Sequence, residues 1–288
     1  MSARSRARFT DVVRRTPIDL ALACQLIATE ADPEAETADV LGALDRLTDE
    51  ARPVLAAKVS RARAAGSQAG DTKATSEPLD AAEALHESLG LRGGYSGLQG
   101  DYDDLRSSLL PEVLRRRHGL PIILSVIWLE VAARLGVPAY PVGLPGHMVV
   151  AIGTPRDNVL VDPFAGGRRI TVHDAAARVR AAGVPFSRAQ LAPMNREDLL
   201  ARVLGNIRVL AARADSTSTR LWAVELSLLL PHHPASLRRE RGELRIRRGD
   251  YLGGARDLAT FAEAVDAAEP TAAAAARAAA RSARSRLN

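Results

Sequence analysis

Apolar residues recur at helical spacing through the first part of the chain. In PIDLALACQLIATEAD, Ile18, Leu22 and Leu26 share one face, and Val40, Leu41, Leu44 and Leu47 repeat the pattern in ETADVLGALDRLTDEARPVLAAKV. The spacing predicts helices over 17–64, with Pro17 in a first turn and Asp19 near the positive end of a helix dipole. Periodicity then stops. RARAAGSQAGDTKATSEPLD, rich in Gly, Ser and Thr, predicts a flexible linker about 61–78. PLDAAEALHESLG reads as a short amphipathic helix closed by Gly90, and the glycine-rich LRGGYSGLQGDYDDL as a loop.

The next helix differs. PIILSVIWLEVAARLG is apolar on every face, with Pro121 suited to a first helical position and Gly136 to a left-handed cap. Such a helix belongs in the middle of a domain. Short β-branched runs follow: AYPVG, then HMVVAI, then NVLVD after the turn GTPRD. The last two predict a hairpin. Setting His147 opposite Asp162 places Val149 against Leu160 and Met148 against Val161, with Thr154–Pro155 at the tip. That register brings the two polar side chains to about 5 Å between Cβ atoms on one face of the sheet.

From Asn195 onward only helical patterns remain. Four segments, beginning at Asn195, Ser218, Pro234 and Tyr251, are separated by turns. Gly242, Gly249-Asp250-Tyr251 and Ala255 give the last pair the punctuation of a tetratricopeptide hairpin. The alanine-rich tail is expected to extend the final helix and fray. The division expected is therefore 1–190, an α+β domain with a helical lead-in, and 195–288, an all-α tetratricopeptide-like region. Arg238, Arg241, Arg245 and Arg248 recur along one helix, and that basic face is a candidate docking surface for an acidic partner.

Charge changes the picture little. The net charge is +5 and the pI about 9.9, but the basic residues are almost all Arg, interleaved with Asp and Glu. This argues against nucleic-acid binding, for which the tail Arg277–Arg286 is the best support. The most apolar run, Leu120–Ala133, is too short to span a bilayer and contains Glu130, so a cytoplasmic protein with no membrane association is expected. A single cysteine, Cys24, excludes an intrachain disulfide framework and a Cys-cluster metal site. No cofactor or metal is implied.

A helix followed by strands bearing His and then Asp is the layout of thiol acyl-transfer folds, in which His is the base and the carboxylate orients it. His147 and Asp162 fit those two roles. The thiol does not follow. The first turn of the central helix is Pro-Ile-Ile-Leu, and Cys24 lies on a different helix, where a small buried residue is the expected reading. Ser125, the only hydroxyl in the helix, is expected to bond back to the carbonyl four residues earlier. His118, after three arginines, reads as a surface residue.

The run RRRHGLPIILSVIWLEVAARLGVP…VGLPGHMVV…VDPFAGG resembles the SirB1 family, and GGYSGLQGDYDDLRSSLLPEVL resembles that family's Gly/Tyr-rich lead-in without its asparagines. The resemblance implies a transglutaminase-like (papain-like) α+β core followed by tetratricopeptide-like helices, and a GxPIxLS-type segment where active transglutaminases carry Gly-x-Cys. With the nucleophile absent, the favoured reading is a pseudoenzyme: a non-catalytic binding, scaffold or regulatory module with a protein or peptide partner. The alternative is an amide hydrolase or acyl-transfer enzyme using Ser125 or a water activated by His147–Asp162.

Overall fold

The computed structural model describes residues 3–33, 37–66 and 76–286. Contacts divide them into two compact units, one of residues 19–203, the other joining 1–18 to 204–288. The sequence reading grouped residues 1–190 instead.

The 19–203 unit opens with α2 (Leu20–Ala31), α3 (Thr37–Gly66) and α4 (Ser76–Leu85); α1 (Ala3–Val13) belongs to the other unit. Pro17 lies ahead of α2 rather than in its first turn, because Asp19 is the N-cap, its carboxylate accepting from Leu22 N at 2.9 Å. Of the expected linker, 61–66 continue α3 and 76–78 open α4; 67–75 lie outside the described residues. A π-helical turn, His86–Arg92, extends α4 through Gly90. Next come two short 3-10 turns and α5 (Leu110–Arg116).

The centre is α6 (Pro121–Arg134). Every residue from Pro121 to Ala132 is buried, Trp128 completely. Its uniform apolarity follows from its neighbours: α2, α3, β1 (Ala139–Leu144) and β2 (His147–Thr154) all pack on it. With β3 (Asp157–Asp162) and β4 (Arg168–Ile170) the strands form an antiparallel meander in the order β1-β2-β3-β4. Val142, Leu144, Val149, Ala151 and Leu160 line one sheet face and pack on Ala175 and Val179 of α7 (Val172–Ala181). Met148, Val150, Ile152 and Val161, equally buried, are turned to the opposite face. Burial on both sides explains why β2 reads as a continuous apolar run instead of an alternation.

The hairpin forms in a different register from the one predicted. Val150 pairs with Val161, Ala151 with Leu160 and Thr154 with Asp157, so Pro155-Arg156 is a two-residue tip. Continued by one position, this sets Asp162 level with Val149, two residues past His147. A slip of two preserves the face, so His147 and Asp162 still point to the same side.

In the second unit, α1 is followed by the C-terminal part of α8 (Arg196–Arg213), then α9 (Thr217–Ser227), α10 (Ser236–Arg247), α11 (Tyr251–Val265) and α12 (Pro270–Ser285). The tail does not extend α11. The chain turns after Val265, restarts at Pro270 and lays Ala273, Ala276, Ala280 and Ala283 on Leu258, Phe261 and Ala262. That alanine stripe lets α12 approach α11 closely.

Candidate functional site

Residues around the Asp162 carboxylate are gathered from β2, β3 and α7. Pro145-Gly146 turns the chain from β1 into β2, and Gly146 takes φ +67°, which favours glycine. The turn is pinned from behind. Arg202 Nη2 on α8 donates to Leu144 O at 2.9 Å and to His147 O at 3.1 Å, and burial pulls the Arg202 guanidinium below its ordinary pKa. His147 is thereby held at the start of β2 with its side chain 9% exposed.

His147 Nε2 donates to Asp162 Oδ1 at 3.0 Å. The same oxygen accepts from Phe164 N at 3.1 Å, capping the 3-10 turn Pro163–Ala165. Oδ2 lies 2.6 Å from Arg178 Nη2 on α7. Asp162 is fully buried, so these partners offset the cost of taking its charge from water. With Nε2 committed to the carboxylate, Nδ1 is the imidazole nitrogen left without a hydrogen-bond partner among the described residues.

An aromatic pair stands beside His147. The Phe164 ring stands edge-on to His147, centroids 6.0 Å apart, and Tyr102 tilts against Phe164 at 5.8 Å. Tyr102 belongs to the Gly/Tyr-rich loop. Gly97 ties that loop to the site: its N–H donates to Phe164 O at 2.8 Å, and a Cβ there would overlap the Phe164 ring. Leu98 (52%) and Tyr102 (37%) are exposed beside it. Burial raises the Tyr102 phenol pKa, and the Asp162 charge adds to the rise.

A second His–Asp pair anchors the far side of the loop. His118 Nδ1 donates to Asp101 Oδ1 at 2.7 Å, an oxygen that also accepts from Ser107 Oγ at 2.7 Å, while Leu98 N donates to Oδ2 at 2.6 Å. His118 is half-buried and structurally engaged, not the free surface residue expected.

Ser125 is buried, and its Oγ donates to Pro121 O at 2.8 Å. Cys24 is buried too, and burial, followed by the charges of Glu130 and Asp19, pushes its thiol far above the usual range. Pro121 occupies the first turn of α6, whose N-cap, Leu120, offers no side-chain bond. Among the described residues no three His, Cys, Asp or Glu side chains converge on a metal position.

The candidate basic face is drawn largely into its own unit. Arg241 Nε donates to Asp257 Oδ2 at 2.8 Å, and Arg245 Nη1 to the same oxygen at 3.1 Å and by Nη2 to Glu225 at 3.2 Å. Arg238 is half-buried and Arg248 exposed.

Sequence reasoning missed Arg178 and Arg202. A signal for Arg178 existed: Thr171 and Asp174 form a capping box ahead of the periodic Ala175, Ala176 and Val179. Arg202 had none, since its role depends on the path of the β1–β2 turn. The Asp101–His118 pair also lacked one, because a loop has no period.

Comparison with known proteins agrees with this geometry. A family model described as transglutaminase-like superfamily matches residues 38–205, and one for the tetratricopeptide repeat matches 207–288. A UPF0162 protein of Xylella fastidiosa is 35% identical over 185 residues, 62% of this chain and 66% of that protein, just under two thirds of its length. F-box only protein 21 of Mus musculus is 30% identical over 169 residues, 55% of this chain and 26% of its own. A UPF0162 protein of Pseudomonas aeruginosa is 35% identical over 112 residues, 38% and 40% of the two chains. No solved structure matches. Among the described residues no helix is long and apolar enough to cross a membrane. A buried helix leading to a sheet that carries His and Asp, followed by a helical array, thus coincides with the two family matches: this chain belongs to the transglutaminase-like superfamily and carries a tetratricopeptide-repeat region behind that domain.

Proposed function

We propose that this chain is a non-catalytic, SirB1-type member of the superfamily. Its His147–Asp162 cleft binds a peptide or amide group without cleaving it, and its helical region engages a protein partner in a scaffold or regulatory role. The observation that carries this reading is the pairing around the dyad. His147 Nδ1 meets no thiol or hydroxyl among the described residues, Pro121 stands in the first turn of α6, Ser125 Oγ is spent on the Pro121 carbonyl, and Cys24 is buried with its thiol held protonated. Acyl transfer through a covalent intermediate needs an activated nucleophile beside its base. What remains is an oriented imidazole with an unpartnered nitrogen, beside Phe164 and the Tyr102 ring packed on it, which suits hydrogen bonding to an amide.

The test pairs a binding assay with a turnover assay. Full-length protein and His147→Ala are incubated with glutamine- and asparagine-containing peptide amides. Expected are NMR shift changes at Phe164 and Tyr102 that vanish in His147→Ala, with no ammonia or cleaved product. Product formation that His147→Ala abolishes would replace this reading with hydrolysis by a dyad-activated water.

A further inference from the structure

A groove of about 650 Å³ lies where β3, β4 and the start of α7 meet, and neither His147 nor Asp162 lines it. Its floor is one cross-strand row. Tyr140 pairs with Ala151, Ala151 with Leu160 and Leu160 with Ile170, and the half-buried rings and branches of Tyr140 and Ile170 stay open to the groove. Thr171-Val172, at the start of α7, forms one wall, and the segment 188–193 the other. Val172, 41% exposed, adds apolar surface at the rim.

The charge on this groove is one-sided. No Asp or Glu lines it, whereas Arg169 and Arg188 both do. Both residues are exposed, and neither has an ion-pair partner among the described residues; Arg169, level with Val161 on the edge strand, also borders a neighbouring hollow that holds Glu83 and Glu87. Apolar surface flanked by two unpaired cations is complementary to aliphatic side chains bordered by carboxylates.

We infer that this groove is a second binding site, distinct from the His147 cleft, and that its ligand is an extended peptide bearing Asp or Glu beside Leu, Ile or Val. The apolar floor takes the aliphatic side chains, and Arg169 and Arg188 take the carboxylates through bidentate pairs. A nucleic acid fits less well. Its affinity comes from many phosphate contacts, and two guanidiniums on an apolar floor supply few.

The probe is a displayed library of random dodecapeptides, selected on full-length protein and counter-screened on Arg169→Glu/Arg188→Glu. Both side chains are exposed and unpaired, so the double variant keeps every described ion pair, and circular dichroism verifies its fold. Expected are clones with acidic residues adjoining aliphatic ones. Binding of their synthetic peptides should fall about tenfold in the variant, the sum of two exposed ion pairs lost and reversed, and should weaken as salt rises. The inference is overturned if selection yields no enrichment, if enriched clones lack acidic bias, or if the variant retains them equally. Retention of a labelled 12-mer polynucleotide that the variant loses would also overturn it, by assigning the cations to phosphate.

Discussion

Cys24 shows how burial decides the chemistry of a side chain. Its thiol sits among Leu20, Leu26 and Ile27, all buried, and desolvation disfavours the thiolate before the charges of Glu130 and Asp19 add to the effect. Thiol-directed acyl probes should therefore leave the native protein unlabelled at pH 8 and modify it stoichiometrically once it is denatured, a difference mass spectrometry reads directly. Rapid native labelling that His147→Ala suppresses would refute the non-catalytic reading. The same burial has a pH consequence. A raised folded pKa means the unfolded chain ionises first, so this stability is whole below the unfolded thiol value near 8.5 and is lost as pH rises above it. Between pH 7 and 10 the wild type should lose about 2 kcal/mol more than Cys24→Ala in urea melts, at roughly 1.4 kcal/mol per unit above that value. Ser125→Ala should be mild, about 1 kcal/mol, since it removes one bond inside an intact helix. At this scale the sequence was most legible where a residue's chemistry is set locally. Ser125 was expected to bond to Pro121, and it does. His147 and Asp162 were placed on one face despite a register two residues off, because a period of two tolerates an even slip. Arg202 and Asp101 were invisible, since their partners are fixed by loops.

Elements were legible in proportion to their length and period. The buried α6, bounded by Pro121 and Gly136, reads directly from the chain. β4, three residues long, carries too little alternation to register. The turn between α11 and α12 was missed although Pro270, at the first position of α12, marks a helix start. The alanine-rich run beyond it shows its buried face only in the packing of Ala276 and Ala280 against α11. The repeat punctuation has a specific physical basis. Gly242 and Gly254 face each other where α10 crosses α11. A Cβ on Gly254 would stand 2.5 Å from Ile246 Cγ1 and 2.7 Å from Gly242 O, with backbone on one side and a packed branch on the other. Gly254→Ala should thus force the helices apart and cost about 1–3 kcal/mol, the usual range for overpacking, read as a lower Tm of the helical region. Gly205→Ala, where an added Cβ meets nothing, is the control and should be neutral or slightly stabilising. Nearby, Asp257 is buried and holds Arg241 and Arg245. Arg241→Glu sets a like charge against it and should destabilise by about 3–5 kcal/mol. Partner-capture losses in that variant must therefore be compared with those in Arg248→Glu, which is exposed.

At the scale of the whole molecule, local periodicity says nothing about which distant helices a segment joins. α1 is amphipathic, and its apolar side chains Phe9, Val12 and Val13 are buried. It clusters with residues 204–288 and not with the adjoining 19–203, and Arg6 Nη1 lies 2.7 Å from Glu225 Oε2 on α9. Residues 3–18 therefore fall in one compact unit with the C-terminal helices, and a truncation that keeps one and discards the other should expose apolar surface. A fragment of residues 19–203 should fold as a monomer with cooperative melting. It retains all of α6, the four strands and the Asp162 cluster, and Leu199, Leu200 and Val203 of α8 stay with it. A longer fragment, 1–203, should behave worse despite containing more native sequence. Phe9, Val12 and Val13 lose their partners, and the orphan helix supplies an apolar stripe that promotes self-association. Gel filtration and binding of a hydrophobic dye to the two fragments make the comparison. If 1–203 is instead monomeric and melts higher than 19–203, α1 is stabilising the transglutaminase-like unit, and its grouping with residues 204–288 is wrong.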